Sequence, residues 1–221
     1  MYDRGFVFTR KGSGVMQQTR SLRIDLSKFE LSSENRRILR KTDDLGLRTY
    51  NLPLANYNWK IGKMAKDFYD DKFGKDTMTA NKVKEIMTDP EFRNFNVTFQ
   101  YVIPTEVEGS RDIDEISRLP SVARNDVIGY TICRETPDLL HYSYPFYNLQ
   151  PTTYNLHPNI GLGMMTKAIA WAKENGKKYV YLGSFQRPTD TYKLQFSGIE
   201  WFDKYNGWSD NLEELKDTLK K

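Results

Sequence analysis

The 221-residue chain has one cysteine, Cys133, and only two histidines, His141 and His157. A single cysteine excludes an internal disulfide and a cysteine metal cluster, and the two histidines form no metal-ligand spacing. No Ser–His–Asp or Cys–His order stands out, so the residues do not indicate a covalent enzyme intermediate. No run of about 18 apolar residues occurs, which excludes an apolar transmembrane helix. The stretch MYDRGFVFTRKGSG lacks the apolar centre of a signal peptide, and the expectation is a cytoplasmic protein. Neither a linker nor an internal repeat divides the chain, so residues 1–221 are read as a single domain.

What is present is aromatic and unevenly charged. Aromatic residues make up 14% of the chain, enough to build a core despite 28% charged residues. Residues 1–63 carry 13 Lys/Arg against 6 Asp/Glu, so a net charge of +4 divides into +7 here and −3 in the remainder. A basic first third, residues 1–45 above all, fits a polyanionic partner or a solvated face.

Residues 21–29 alternate with Leu22, Ile24 and Leu26 on one face, a strand pattern. Ser32-Ser33-Glu34 opens a helix, with a serine cap and an acid in the first turn. Arg36, Arg37, Arg40 and Lys41 follow in two rows at four-residue spacing. Like charges so placed repel, and either an anion or bulk solvent must accommodate them. Residues 56–73 show an apolar stripe of Ile61, Met64, Ala65, Phe68 and Tyr69, read as core, and Gly74 ends that helix. A short helix over 79–88 and a strand over 95–103 follow, and residues 105–123 read as an inserted surface loop with a helical turn at 112–119. Residues 126–135 and 139–147 read as a hairpin in which Pro145 marks an edge or a bulge.

The end of the chain repeats a strand–helix–strand order. The helix starts near Asn159, which can cap it, and carries Ile160, Met164, Ala168, Trp171 and Ala172 on its apolar stripe until Asn175-Gly176. A strand over 177–185 follows, and a crossing of this length implies parallel pairing. Asp210 and Glu213 frame a capping box for a last helix with Leu212, Leu215 and Leu219. The expected fold class is α+β: a mixed sheet flanked by helices with a C-terminal β-α-β unit.

Candidate site residues cluster in 141–202. Gly161 and Gly163 sit in the first turn of the helix, where amides point outward and missing side chains admit an anion; packing or turn roles are the alternative. His157 stands before that helix as a proton acceptor or a loop histidine, whereas His141 on a strand reads as structural. Tyr142, Tyr144, Phe146 and Tyr147 form a wall that is either core or a stacking surface.

These pieces together resemble the aminoacyl-tRNA–protein transferases of the N-end rule pathway, the arginyl-transferring enzymes and their leucyl-transferring bacterial counterparts. The resemblance lies in Tyr144–Tyr147, the helix from Gly161, Tyr179–Gly183, Tyr192–Phe196 and Glu200–Phe202. Near the other end it lies in Tyr2–Phe6, Ser21–Asp25, Phe29, Ser32 and the basic segment Arg36–Lys41; residues 42–125 match poorly. It implies a GNAT-like fold and transfer of an aminoacyl group from aminoacyl-tRNA to the N-terminal α-amine of a protein, with no cofactor. It places Arg36, Arg37, Arg40 and Lys41 on tRNA phosphates or on the acceptor's acidic side chain. Tyr144, Tyr147, Gly161, Gly163, Tyr181 and Gly183 line the substrate pocket, and His157, Tyr192 and Lys193 stand at the reacting groups, with residues 126–205 as the acyl-transfer core. Two departures stand out. The family's N-terminal cysteines are missing from the stretch Gly14–Ser21, and its Phe-Tyr-Asp-Pro is here Phe146-Tyr147-Asn148-Leu149, without the carboxylate. Two alternatives share the fold: an N-acyltransferase using acetyl-CoA, whose pyrophosphate loop is matched only in part because Pro158 takes the place of Gln or Arg, and a non-catalytic RNA- or protein-binding module.

Overall fold

The computed structural model describes residues 1–103, 127–149 and 159–218. They form an α+β arrangement of three layers. A large sheet has the strands β1 and β2 (Phe6–Phe8, Met16–Gln18) outside it as a separate ribbon. The sheet's own strands are β3 (Ser21–Asp25), β4 (Gly46–Asn51), β5 (Val97–Val102), β6 (Val127–Glu135), β7 (Leu139–Tyr147), β8 (Tyr179–Ser184), β9 (Ile199–Asp203) and β10 (Gly207–Ser209). Their order is β10-β9-β3-β8-β7-β6-β5-β4, and among the described residues only β7 and β8 pair parallel.

Each helix begins where its sequence supplies a cap. Ser32 accepts from the Asn35 amide at 3.1 Å and Asn35 Oδ1 accepts from the Ser32 amide at 3.2 Å, a reciprocal box that satisfies two of the free amides at the start of α1 (Ser33–Lys41). Asn58 caps α2 (Trp59–Phe73), which stops at Gly74 with φ +94°, and Thr79 caps α3 (Ala80–Thr88). Asn159 precedes α4 (Ile160–Glu174) in the left-handed region, and its side chain makes no capping bond, unlike the expected cap. The last helix, α5 (Leu212–Asp217), is capped by Asn211 rather than Asp210; Leu219 and the surface loop expected over 105–123 lie outside the described residues.

α1 and α4 cover one face of the sheet, where Leu22, Ile24, Met164, Ala168, Ile169 and Val180 form the core. α2 and α3 cover the other, packing Ile61, Ala65, Phe68 and Met87 on Ile132 and Phe146. Full burial of each of the larger of these side chains, Val, Leu, Ile, Phe or Met, contributes about 1.5–3 kcal/mol, so either layer far outweighs any single polar contact. Among the described residues no helix is long and apolar enough to cross a membrane.

Two features of the sheet position the site. β3, from the start of the chain, lies between β8 and β9, so both its edges are paired, and residues Ser21 to Ile24 are buried on both faces. Arg23 survives there because it bonds Glu200 at 2.8 Å and lies between the rings of Tyr179 and Trp208, at 4.2 and 3.9 Å. Second, β7 is an interior strand. Its register with β6 shifts at Ser143, two residues before Pro145, and Pro145 itself still stands opposite Thr131. The Pro145 carbonyl turns to the Tyr69 hydroxyl at 3.1 Å. Proline therefore sits where the strand has no ladder partner on its second side among the described residues, as its missing N–H requires.

Candidate functional site

The pairing of β7 with β8 covers three positions, from Leu139 opposite Tyr179 to His141 opposite Tyr181. Beyond His141 the two strands pair no further among the described residues, and the region between the last residues of β7 and those of β8 is referred to below as the notch. Tyr147 stands in it. Its ring lies 4.7 Å from that of Phe68 on α2, and an added Cβ at Gly161 on α4 would come 3.0 Å from its edge. One side chain thus touches helices on opposite faces of the sheet.

The segment after β8 closes the notch from the other side. The 3-10 turns of Pro188–Gln195 place Tyr192 in the field of Tyr147 and Asp190, with 46% of its surface exposed. Burial, then Asp190 and Tyr147, push its pKa up to about 12. Lys193 is buried. Its ammonium donates to the Ser184 carbonyl at 2.9 Å and pairs with Asp190 at 3.2 Å. Burial pushes its pKa down, and Asp190 opposes that shift. Asp190 also accepts from the amides of Gln186 and Arg187, each at 3.0 Å. Asp190 and Lys193 therefore pin the whole turn to the end of β8. Outside it, Arg187 lies over the exposed ring of Phe73, 5.3 Å from its centre, and Phe73 stacks on Tyr69 at 5.5 Å.

The glycines of α4 serve close packing. A Cβ on Gly163 would meet the Thr42 side chain at 2.6 Å, so this glycine lets the end of α1 cross α4. The cations of α1 differ among themselves. Arg37 makes a two-pronged pair with Glu34, and Arg36 donates to the Leu31 carbonyl at 2.5 Å. Arg40 and Lys41 are exposed, with no ion pair among the described residues.

Other expected site residues lie apart from the notch. Tyr181 is buried against Tyr2 (4.8 Å) and Trp208 (5.7 Å), and Gly183, with φ +76°, pairs with Leu22 of β3. Tyr144 packs edge-on against Phe95 at 5.4 Å, on the α2 and α3 face. His157 lies outside the described residues. His141 is buried, its Nδ1 3.1 Å from the Tyr2 hydroxyl, and burial pulls its pKa down to about 3. Cys133 is buried too, which raises its thiol pKa and keeps it protonated. The structure thus brings together Tyr147, Gly161, Tyr192 and Lys193, and adds Phe68, Tyr69, Phe73, Asp190 and Arg187, none of which the sequence had marked as site residues. Phe68, Tyr69 and Phe73 could have been found as an aromatic cluster at the end of α2; Arg187 carried no local signal.

No family model matches the chain, and no curated protein matches it. Among solved structures, FemX superposes with a TM-score of 0.50 at 12% identity, covering 83% of this chain and 58% of that one. The structure of L-PGS from Bacillus licheniformis gives 0.49 at 10% identity, covering 99% and 68%. The C-terminal DUF2156 domain of a putative lysylphosphatidylglycerol synthetase from Agrobacterium fabrum gives 0.46 at 11%, covering 87% and 52%. The chain spans less than two thirds of the length of FemX, and what it shares with FemX at this identity is the fold.

Proposed function

We propose that this chain transfers an aminoacyl group from aminoacyl-tRNA to an amine, with the N-terminal α-amine of a protein or peptide as the acceptor. The observation that carries this reading is the parting of β7 from β8 beyond His141, where Tyr147 meets α2 on one face of the sheet and α4 on the other. It is bordered by a tyrosine, Tyr192, and a buried ammonium, Lys193, and no thiol or histidine among the described residues reaches it. Such a site aligns two reactants instead of attacking one. An aminoacyl ester is already activated. The amine adds to its carbonyl carbon, the bond to the ribose oxygen breaks, and the proton lost by the amine ends on that oxygen. In this reading Tyr192 passes the proton, and Lys193 holds the turn that carries it. A GNAT-like description of the fold belongs to the same proposal, because a parallel pair that parts beside a crossover helix is the opening it needs.

Two further features support tRNA as donor. Arg40 and Lys41 project from α1, which packs on α4 beside the notch, and cations there suit phosphates. Thr42 fills the space at Gly163, leaving less room for the pyrophosphate that an acyl-CoA donor would bring. The test is to incubate the protein with a panel of charged tRNAs and peptides of varied first residue. The expected product is a peptide heavier by one aminoacyl residue. Product with acetyl-CoA, and none with any charged tRNA, overturns the proposal.

A further inference from the structure

The large sheet has two edges, and they differ. At one end β10 is three residues long, Gly207–Ser209, a short edge of the kind that discourages further pairing. At the other end β4 runs six residues in unbroken register with β5, from Gly46 opposite Val102 to Asn51 opposite Val97. This edge has no bulge, no proline and no lysine, and Arg48, Thr49, Tyr50 and Asn51 are exposed. The residue after it fixes which backbone groups look outward. Leu52 continues the register opposite Asn96 and donates its amide to the Asn96 carbonyl at 2.9 Å. Backbone direction alternates along a strand, so Gly46, Arg48 and Tyr50 turn their polar groups to β5, and Leu47, Thr49 and Asn51 turn theirs away from the sheet. Among the described residues no hydrogen bond takes up these three outward amides. Side chains alternate as well. Leu47 packs on the core under α1 and α4, whereas Arg48 and Tyr50 lie on the α2 and α3 face, in line with Gln100 and Tyr130. On that face Tyr50, Asn51, Pro53, Leu54, Gln100 and Tyr130 line a cavity of about 270 Å³.

We infer that this edge pairs with the same edge of a second copy of the chain, β4 against β4, about a two-fold axis at Thr49. A two-fold axis between antiparallel strands stands perpendicular to the sheet, so residues directly opposite each other share a face and the pairing centres on one residue. Centred on Arg48, it sets two guanidiniums opposite each other in the closer type of pair, and like charges there repel. Centred on Tyr50, it sets Leu47 opposite Pro53, which has no amide to give. Only the Thr49 centre engages all three outward residues. Thr49 meets Thr49 of the second copy, and Leu47 meets Asn51 on either side of it, each pair exchanging two backbone hydrogen bonds. Arg48 then stands opposite Tyr50 of the second copy, where a guanidinium rests on a ring at the mouth of the cavity. Six residues a side make a small contact, below the about 800 Å² per partner of a stable complex, so the association is weak and rises with protein concentration. Because the axis keeps like faces together, the α1 cations of both copies stand on one side of the joined sheet, a doubled basic surface for a polyanion. β5 and β6 lie between this edge and β7, so the pairing does not involve the notch.

Sedimentation equilibrium of the intact chain tests the pairing. The mass is expected to rise with concentration from 25.9 kDa toward twice that value. Thr49→Pro removes an amide that bonds nothing within the chain, so circular dichroism should show an unchanged fold. Association should weaken at least about ten-fold through the two bonds lost at the axis. Thr49→Lys leaves the backbone intact and should weaken association too, by setting like charges opposite each other. The register is read with oxidised glutathione. Thr49→Cys should link two copies, because opposite Cα atoms about 5.5 Å apart suit a disulfide, and Arg48→Cys should not. Cys133 is buried and does not compete. A mass that stays at one chain up to the highest soluble concentration overturns the inference and leaves the edge to an extended peptide of another protein. A dimer whose strength neither Thr49→Pro nor Thr49→Lys changes, or one that Arg48→Cys links and Thr49→Cys does not, overturns it equally.

Discussion

Replacing Gly163 with alanine separates a packing glycine from one that serves a ligand. The new Cβ would sit 2.6 Å from Thr42 Cγ2, 2.8 Å from its Oγ1 and 3.1 Å from its Cβ. Thr42 cannot easily turn away, because it is fully buried and its hydroxyl donates to the Ile38 carbonyl at 3.1 Å. Overpacking of this kind costs about 1–3 kcal/mol. Alanine in a helix interior returns about 1 kcal/mol through backbone entropy. Gly163→Ala should therefore lower stability by up to about 2 kcal/mol. In a Thr42→Ala background only the 3.1 Å contact remains, so the same change should be close to neutral, giving a coupling energy of up to about 2 kcal/mol. Urea unfolding of the four proteins measures this, with midpoints shifting and m unchanged. The double variant, with packing relieved, should also bind charged tRNA as the wild type does. The reasoning is refuted if Gly163→Ala stabilises the wild-type chain by about 1 kcal/mol with no coupling to Thr42. A double variant that is stable but no longer binds tRNA refutes it equally.

Two other predictions concern charge. His141 is neutral when buried, with its pKa moved from 6.5 down to about 3, so the unfolded chain takes up a proton below pH 6.5 that the folded chain refuses. Stability is therefore complete above that pH and declines as pH falls toward 3; at pH 4.5 the loss is about 2–3 kcal/mol. His141→Gln should remove this part of the acid dependence, visible as a difference in unfolding midpoint that shrinks between pH 7 and 4.5. For α1, replacing Arg40 and Lys41 with alanine should reduce the salt slope of tRNA binding by about 2, whereas Arg37→Ala should change it less, because Glu34 already neutralises Arg37. Equal effects from all three cations would show that the Glu34 pair does not persist in solution.

Much of the fold was legible because its signals are local. Ser32, Asn58 and Thr79 cap helices whose apolar spacing is regular, and β5 through β8 alternate or run apolar. β4 escaped because most of its residues are exposed and no face repeats. The position of β3 between β8 and β9 follows from contacts across more than 150 residues, which no window of sequence contains. The proline in β7 did announce an irregular strand, but the bulge falls at Ser143 and the strand is interior. At the site, Tyr147, Tyr192 and Lys193 were named from sequence, yet the reason they meet was not visible. The parting of β7 from β8 is a property of the pairing. Arg187 and Phe73 are separated by more than a hundred residues, and nothing in the sequence singled out Phe73, the last residue of α2, which is 46% exposed.

The most direct measurement follows a labelled amino acid. A tRNA charged with a radiolabelled residue is mixed with the protein and an acceptor peptide, and a parallel sample receives ribonuclease first. The account predicts label in the peptide only where the charged tRNA was intact. It also predicts that Tyr192→Phe lowers the rate by about ten- to a hundred-fold if that hydroxyl passes the proton. Label that stays on the tRNA with every residue and every peptide tried, from a folded protein that binds the tRNA, would contradict it.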